Sequence, residues 1–474
     1  VNRRSTTPGN QAHEQRYSQQ RFKPYPDYRD SGVQWLGMVP AHWRTDRLKW
    51  TVTMCRNGIW GEEADCVNDI ACVRVADFDR TRFLVHLEEP TIRAVAPIQR
   101  IGRLLNKGDL LLEKSGGGEL QPVGAVMLFA HDMEAVCSNF VARMPVAAGL
   151  DGRFLAYFHA HLYGGRVNTR SIKQTTGIQN LDADSYLNEL VLWVPVPEQR
   201  AIAAFLDQET ARIDELIDKK QRLIELLTEK RTALISHAVT KGLNPDAPMK
   251  DSGIDWLGPV PKHWKAVQLR RVLHSIEQGW SPSCFNYPAS LEEWGVLKAG
   301  CVNSGRLDEN ENKLLPPEHY PDPALQIRSG DVLMSRACGT PSLVGSVGFV
   351  ESCRPRLLLC DKLFRLHILE RQAFAEFIAL SLKSVASRGQ IEGSINGAEG
   401  LANNITQATV RGLWVGVPPL SEQQQICVEV QARLSRLEKL SSRIGAAIDS
   451  LREYRSALVS AAVTGKIDVR EVMM

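Results

Sequence analysis

Glu198-Gln199-Arg200-Ala201-Ile202, directly after Val194-Pro195-Val196-Pro197, opens a stretch that runs without Gly or Pro to Ser236-His237-Ala238-Val239-Thr240. Apolar residues recur at Ile202, Leu206, Ile213, Leu216/Ile217, Leu223, Leu227 and Leu234. That three-and-four spacing lines one stripe of an amphipathic helix. The pattern returns after Val417-Pro418-Pro419. There Glu422-Gln423 opens a stretch with Ile426, Val430, Leu434, Leu437, Leu440, Ile444, Leu451 and Leu458, interrupted only by Gly445 and closing Ser460-Ala461-Ala462-Val463-Thr464. Glu198 answers Glu422 and Thr240 answers Thr464 at one common offset, so the copies have equal length. A helix this long spans roughly 60 Å at about 1.5 Å per residue, more than one small domain covers.

The segments upstream of the helices are also duplicated. Asp30-Ser31-Gly32-Val33-Gln34-Trp35-Leu36-Gly37 returns as Asp251-Ser252-Gly253-Ile254-Asp255-Trp256-Leu257-Gly258, and each copy ends in His-Trp, at Trp43 and Trp264. The spacing of these copies nearly equals that of the helices, so the chain reads as a tandem repeat of about 220 residues. Trp35, Trp43, Trp256 and Trp264 are expected as structural anchors. The middles of the halves differ more but share a skeleton. Lys107-Gly108-Asp109-Leu110-Leu111-Leu112 answers Ser329-Gly330-Asp331-Val332-Leu333-Met334, a turn feeding an apolar strand. A small polar loop follows each strand: Glu113-Lys114-Ser115-Gly116-Gly117-Gly118 and Ser335-Arg336-Ala337-Cys338-Gly339-Thr340. A second polar loop comes later in each half, at Arg170-Ser171-Ile172-Lys173-Gln174-Thr175-Thr176-Gly177-Ile178-Gln179-Asn180 and from Ser394 to Asn404.

Composition bounds the reading. The chain has 474 residues, 43% hydrophobic and 23% charged, with a net charge of only +3. Those values fit two to four ordinary domains, and any polyanion must be met by local patches. Ten cysteines show no metal-knuckle spacing and are expected as reduced thiols; no signal peptide or membrane span is visible, so the expected location is the cytoplasm. Residues 1–29 carry Arg3, Arg4, Arg16, Arg21, Lys23 and Arg29 without a hydrophobic period, and are expected to form a basic flexible arm.

Catalytic motifs are missing. No phosphate-cradling loop, GxSxG or HExxH occurs. Asp109, Glu113 and Lys114 resemble a metal-dependent nuclease only loosely, and the second half has Ser335-Arg336 in place of Glu113-Lys114. His159 and His161 read as surface or packing residues. Nucleic-acid binding has more support. From Gly152 to Leu181 there is no acidic residue, while Arg153, Arg166, Arg170 and Lys173 fall inside; from Thr91 to Gly108 acids are again absent, with Arg93, Arg100, Arg103 and Lys107. Such clusters suit phosphate contact, and Arg, Lys, Asn and Gln on the polar loops suit base edges. The candidate DNA-binding residues are Lys114, Ser115, Gly116, Arg170, Lys173, Gln174, Thr175, Thr176, Gln179 and Asn180 in the first half. In the second they are Arg336, Thr340, Ser394, Asn396, Asn403 and Asn404.

The duplicated Asp-Ser-Gly-x-x-Trp-Leu-Gly segment, the Pro-x-x-Glu-Gln helix starts and the Val-Thr helix ends resemble the specificity subunit of Type I restriction–modification enzymes. The resemblance implies an α+β protein with two mixed α/β target-recognition domains. Two long helices, pairing as an antiparallel coiled coil, join them about an internal pseudo-two-fold. The corresponding boundaries are 1–29 for the arm, 30–197 for the first recognition domain and 198–242 for the first helix. Residues 243–419 form the second recognition domain and 420–474 the second helix and tail. The resemblance further implies a non-catalytic subunit that reads one half of a split duplex DNA site with each domain. It implies docking of two modification subunits, which bind S-adenosylmethionine and methylate adenine, and of ATP/Mg-dependent restriction subunits. The chain itself would hold no cofactor or metal. The alternative is a non-enzymatic coiled-coil scaffold whose end domains bind proteins.

Overall fold

The computed structural model describes residues 22–175, 177–395 and 403–470; of Gln174 and Thr175 only the backbone is described. The fold is α+β, with two long helices, Val196–Lys241 and Leu420–Val463. Among the described residues no helix is long and apolar enough to cross a membrane. The chain divides into two compact units. One takes residues up to 219 and those from 446 on; the other takes 220–445. Each unit therefore contains the first part of one long helix and the last part of the other. In the first unit Ile202, Leu206 and Ile213 share a core with Leu458, Val459 and Val463, and Arg455 Nε donates to Asp214 Oδ1 at 2.9 Å. In the second, Ile235 and Val239 share a core with Ile426, Val430 and Leu434. Within each unit the start of one helix lies with the end of the other, which is antiparallel pairing. The apolar stripe is not uniformly covered: Leu216, Leu223 and Leu440 stay 40, 42 and 44% exposed.

The repeated motifs are explained by what their side chains hold. In Asp30-Ser31-Gly32 the Gly32 amide donates to Asp30 Oδ1 at 3.0 Å, and Gly253 to Asp251 Oδ1 at 3.0 Å. Both glycines have positive φ, +72° and +70°, a conformation that a Cβ disfavours. The helix-opening Glu-Gln pairs tie each helix to its own domain. Glu198 accepts Trp43 Nε1 at 3.0 Å and lies 2.7 Å from His42 Nε2; Glu422 does the same with Trp264 and His263, at 3.0 and 2.7 Å. Gln199 accepts the Asp151 amide at 3.0 Å and donates to Val194 O at 2.9 Å. Gln423 accepts the Phe374 amide at 2.7 Å and donates to Pro418 O at 2.9 Å. At the other end Thr240 and Thr464 each return a hydroxyl to the carbonyl four residues earlier, at 2.7 Å.

The first unit builds a six-stranded sheet in the order Arg56–Asn57, Val141–Met144, Leu110–Glu113, Val126–Leu128, Leu84–Val85, Phe78–Asp79. Helix Gly152–Gly164 packs against Val126–Leu128. The second unit has the corresponding sheet in the order Leu273–Gln278, Leu363–Ile368, Val332–Ser335, Val347–Phe349. Both apolar strands expected after Asp109 and Asp331 are present.

Three expectations need correction or refinement. The sequence predicts a loose basic arm through residue 29, but Phe22 and Tyr25 are buried and Tyr28–Asp30 pairs with Met38–Pro40. Phe22, Tyr25 and Tyr28 supply the apolar surface, too few residues to show a period. Residues 1–21 lie outside the described set. Of the four tryptophans, Trp43 and Trp264 are fully buried anchors, whereas Trp256 is 56% exposed. It packs edgewise on Gly389, where a Cβ would come within 2.4 Å of the indole. His159 is wholly buried, with Nδ1 2.8 Å from the Tyr186 hydroxyl; burial lowers its pKa to about 3, and His161 to about 4.

Candidate nucleic-acid interface

In each unit the strand that follows the Gly-Asp turn runs straight into the first polar loop, and the second loop comes back to pair with it. Ser115–Gly116 lies antiparallel to Ile178–Leu181, with Ser115 opposite Asn180 and Gly116 opposite Gln179; Ile172–Thr175 completes the ribbon on the far side of that strand. In the second unit Ala337 lies opposite Asn404 and Cys338 opposite Asn403. Loops far apart in sequence are thus joined into one small ribbon, twice, in the same register. The preceding strands hold the ribbons firmly. Lys114 N donates to Phe140 O at 2.8 Å and Arg336 N to Lys362 O at 2.8 Å, so Phe140 and Lys362 are equivalent positions.

The candidate residues divide by what already engages them. Lys114 is half-buried and the Arg336 guanidinium donates to Asp361 O, at 3.4 Å; neither side chain is ion-paired to a carboxylate among the described residues. Arg170 and Lys173 are exposed but carry acidic partners, Glu189 at 3.7 Å and Asp182 at 2.6 Å. Asp182 raises the Lys173 pKa through a hydrogen bond and its charge. Ser115 Oγ donates to Asn180 Oδ1 at 2.5 Å, which fixes the exposed amide. The Gln179 side chain turns inward, 8% exposed, and accepts the Val123 amide at 3.3 Å. Gly116 has φ +120° and open space at its Cα. In the second ribbon Thr340 is exposed, Asn403 Nδ2 donates to Gly339 O at 3.4 Å, and Asn404 sits across from Ala337. Ser394 spends its hydroxyl on Gln390 O at 2.8 Å, at the end of a helix. Thr176 and Asn396 lie outside the described residues, as do the side chains of Gln174 and Thr175.

The carboxylates behind the ribbons are frame and not site. Asp109 meets Arg143 Nε at 2.6 Å, and the equivalent Asp331 meets Arg365 Nη1 at 3.2 Å. Glu113, raised by burial against the pull of Arg80, meets that arginine at 2.8 Å. Each of these acids meets its own arginine. Breaking such a buried pair costs about 3–5 kcal/mol. The sequence reading missed Trp60 and Phe140, which stand beside the first ribbon 39 and 50% exposed. The available signal was a glycine with tryptophan close behind it in each half, two residues on at Gly58-Ile59-Trp60 and one residue on at Gly279-Trp280.

Known proteins fit this architecture. No family profile matches the chain. The Type I restriction enzyme EcoEI specificity subunit of Escherichia coli is 28% identical over 242 residues, 51% of this chain and 40% of that protein. The EcoKI specificity subunit of Escherichia coli K12 is 22% identical over 66% of this chain and 65% of its own length. The chain thus spans between two fifths and two thirds of these relatives. A chain from a solved structure, described as showing complex assembly and conformational transition of the type I R-M system, superposes with a TM-score of 0.64. It is 16% identical, and the superposition covers 90% of this chain and 98% of that one. That likeness is one of fold. In sequence this chain is similar to the specificity subunits of Type I restriction enzymes, and in fold to a chain of the type I R-M system.

Proposed function

We propose that this chain is the DNA sequence-recognition subunit of a Type I restriction–modification complex and reads an asymmetric, two-part duplex site, one part with each unit. The observation that carries this reading is the doubled ribbon. The same backbone register presents Lys114-Ser115-Gly116 with Asn180 in one unit and Arg336-Ala337-Cys338 with Asn404 in the other. Identical frames with different side chains suit two different base sequences, since base identity is read by side-chain chemistry on a fixed support. Phosphate contact falls to Lys114, Arg336 and the acid-free segment around Arg93. The chain performs no chemical step itself. Modification subunits bring S-adenosylmethionine and the adenine methyl transfer, and restriction subunits bring ATP and Mg; both dock on the long helices. The complex acts in the cytoplasm.

The test is a domain exchange. Residues 265–412 are replaced by the matching part of another specificity subunit, the modification partner is added, and methylated adenines are mapped. One half of the site should change while the other stays. If both halves change, or methylation follows no two-part site, the reading fails.

A further inference from the structure

Beside the first ribbon lies a cleft of about 450 Å³, walled by Trp60 and Phe140 and closed by Arg74, Val75, Ala76, Ser138 and Asn139. It is wired to the ribbon, because the Phe140 carbonyl accepts both the Lys114 and the Ser115 amides, at 2.8 and 3.3 Å. The other wall is equally fixed. A Cβ on Gly58 would sit 1.8 Å from Cys137 O, so only glycine lets the chain pass there and place Trp60 two residues on. Ile59 N then donates to Cys137 O at 2.7 Å. Arg93 lies over the indole, 4.7 Å from its centroid, and donates to the carbonyls of Trp60 and Gly61 at 3.3 and 3.1 Å. Arg93 does not line the cleft itself but reaches it through the indole, and no carboxylate pairs with it among the described residues, so no acid neutralises its charge. The exposed Asn139 amide makes no hydrogen bond within the described protein.

Two half-exposed aromatic walls, a free amide and an unneutralised cation are the parts that hold a nucleobase and its phosphate. We propose that this cleft takes a single unpaired nucleobase from DNA lying on the first ribbon, stacking it between Trp60 and Phe140 with Arg93 against its phosphate. This rests on the DNA-reading function proposed above. Among the described residues the second unit lacks the counterpart. Its Gly279 is equally constrained, 2.0 Å from Leu359 O, but Trp280 follows it directly and donates its amide to Leu359 O as Ile59 does to Cys137 O, so Ser281 holds the position of Trp60 and Lys362 that of Phe140. The base site belongs to one half of the repeat only.

The experiment uses the full chain and two labelled duplexes of one sequence, fully paired or with one unpaired thymine. The unpaired base has no pairing energy to lose, so the second duplex should bind more tightly. The gain expected from aromatic stacking is about 5- to 150-fold. Trp60→Ala should abolish the gain and leave paired-duplex affinity within about twofold; Trp60→Phe should keep most of it, and Trp280→Ala all of it. Equal binding of both duplexes by the unaltered chain overturns the proposal while leaving DNA reading intact. So does a gain that survives both Trp60→Ala and Phe140→Ala, or a Trp60→Ala loss that is equal for both duplexes. Binding of neither duplex would overturn the DNA-reading function itself.

Discussion

Glu198→Ala and Glu422→Ala remove the same side chain from equivalent places in the repeat, yet the first should cost more. Glu422 takes Trp264 Nε1 at 3.0 Å and His263 Nε2 at 2.7 Å. Glu198 takes the matching pair and a third donor, the Tyr25 hydroxyl at 2.9 Å. Burial and the Glu198 charge hold the Tyr25 pKa far above its ordinary value, so the phenol is a donor at every working pH. A hydrogen bond to a charged group contributes about 1.5–3 kcal/mol, and a buried donor left without its partner costs about 1–3 kcal/mol. Trp43 and Tyr25 are 1 and 2% exposed, so water does not replace the carboxylate. The excess cost of Glu198→Ala over Glu422→Ala should be about 1.5–3 kcal/mol. A double-mutant cycle with Tyr25→Phe isolates the bond. Urea unfolding gives the global values. Hydrogen exchange over residues 22–30 and 464–470 gives the local ones, because Tyr28 donates to Gly465 O and Asp468 N to Lys23 O in that same layer. Equal costs for the two alanine variants, or a Tyr25–Glu198 coupling under about 0.5 kcal/mol, would refute the argument.

Two further outcomes follow from burial and charge. His159 has a folded pKa of about 3 against an ordinary 6.5, so below pH 6.5 the unfolded chain takes up a proton that the folded chain refuses. Its contribution is complete above pH 6.5 and falls by about 1.4 kcal/mol per pH unit on acidification. Between pH 6.5 and 5.0, His159→Gln should therefore lose about 2 kcal/mol less than the unaltered chain in urea unfolding, and parallel pH dependences would count against it. For DNA, Lys114→Ala with Arg336→Ala should reduce the slope of log K against log salt by about 2, whereas Lys173→Ala should change it by less than about 1 because Asp182 already neutralises that ammonium. An unchanged slope in the double variant would remove both ribbons from the phosphate interface.

The frame was legible because it is written in repeats. Equal offsets exposed the helices, and the residues that mark their ends, Glu198-Gln199 and Thr240 with Glu422-Gln423 and Thr464, are those whose side chains fasten them. The joining of Ser115 to Asn180 was not legible. It depends on strand pairing between loops with a whole helix and several strands between them, and nothing in either loop names its partner. Trp60 and Phe140 were missed for a related reason: most of the first sheet intervenes in sequence between two walls of one cleft. The last residues of the arm, from Phe22 on, were misread because Phe22, Tyr25 and Tyr28 dock by individual contacts, without periodicity.

The duplication also separates what had to be kept from what could drift. The Asp109–Arg143 and Asp331–Arg365 pairs, the anchors Trp43 and Trp264 and the glutamates that hold them recur because each contact has at least one buried member, and an uncompensated buried partner is costly. The ribbon side chains other than the buried Gln179 face no such penalty. Ser115 fixes Asn180 by a hydroxyl that Ala337 cannot offer to Asn404, and Phe140 has become Lys362 without disturbing the carbonyl that holds the next strand. Side chains that contribute little to folding are free to change what the protein recognises. On the proposed function, a reader built on backbone pairing would acquire a new target in one half while the helices and the other half stay as they were.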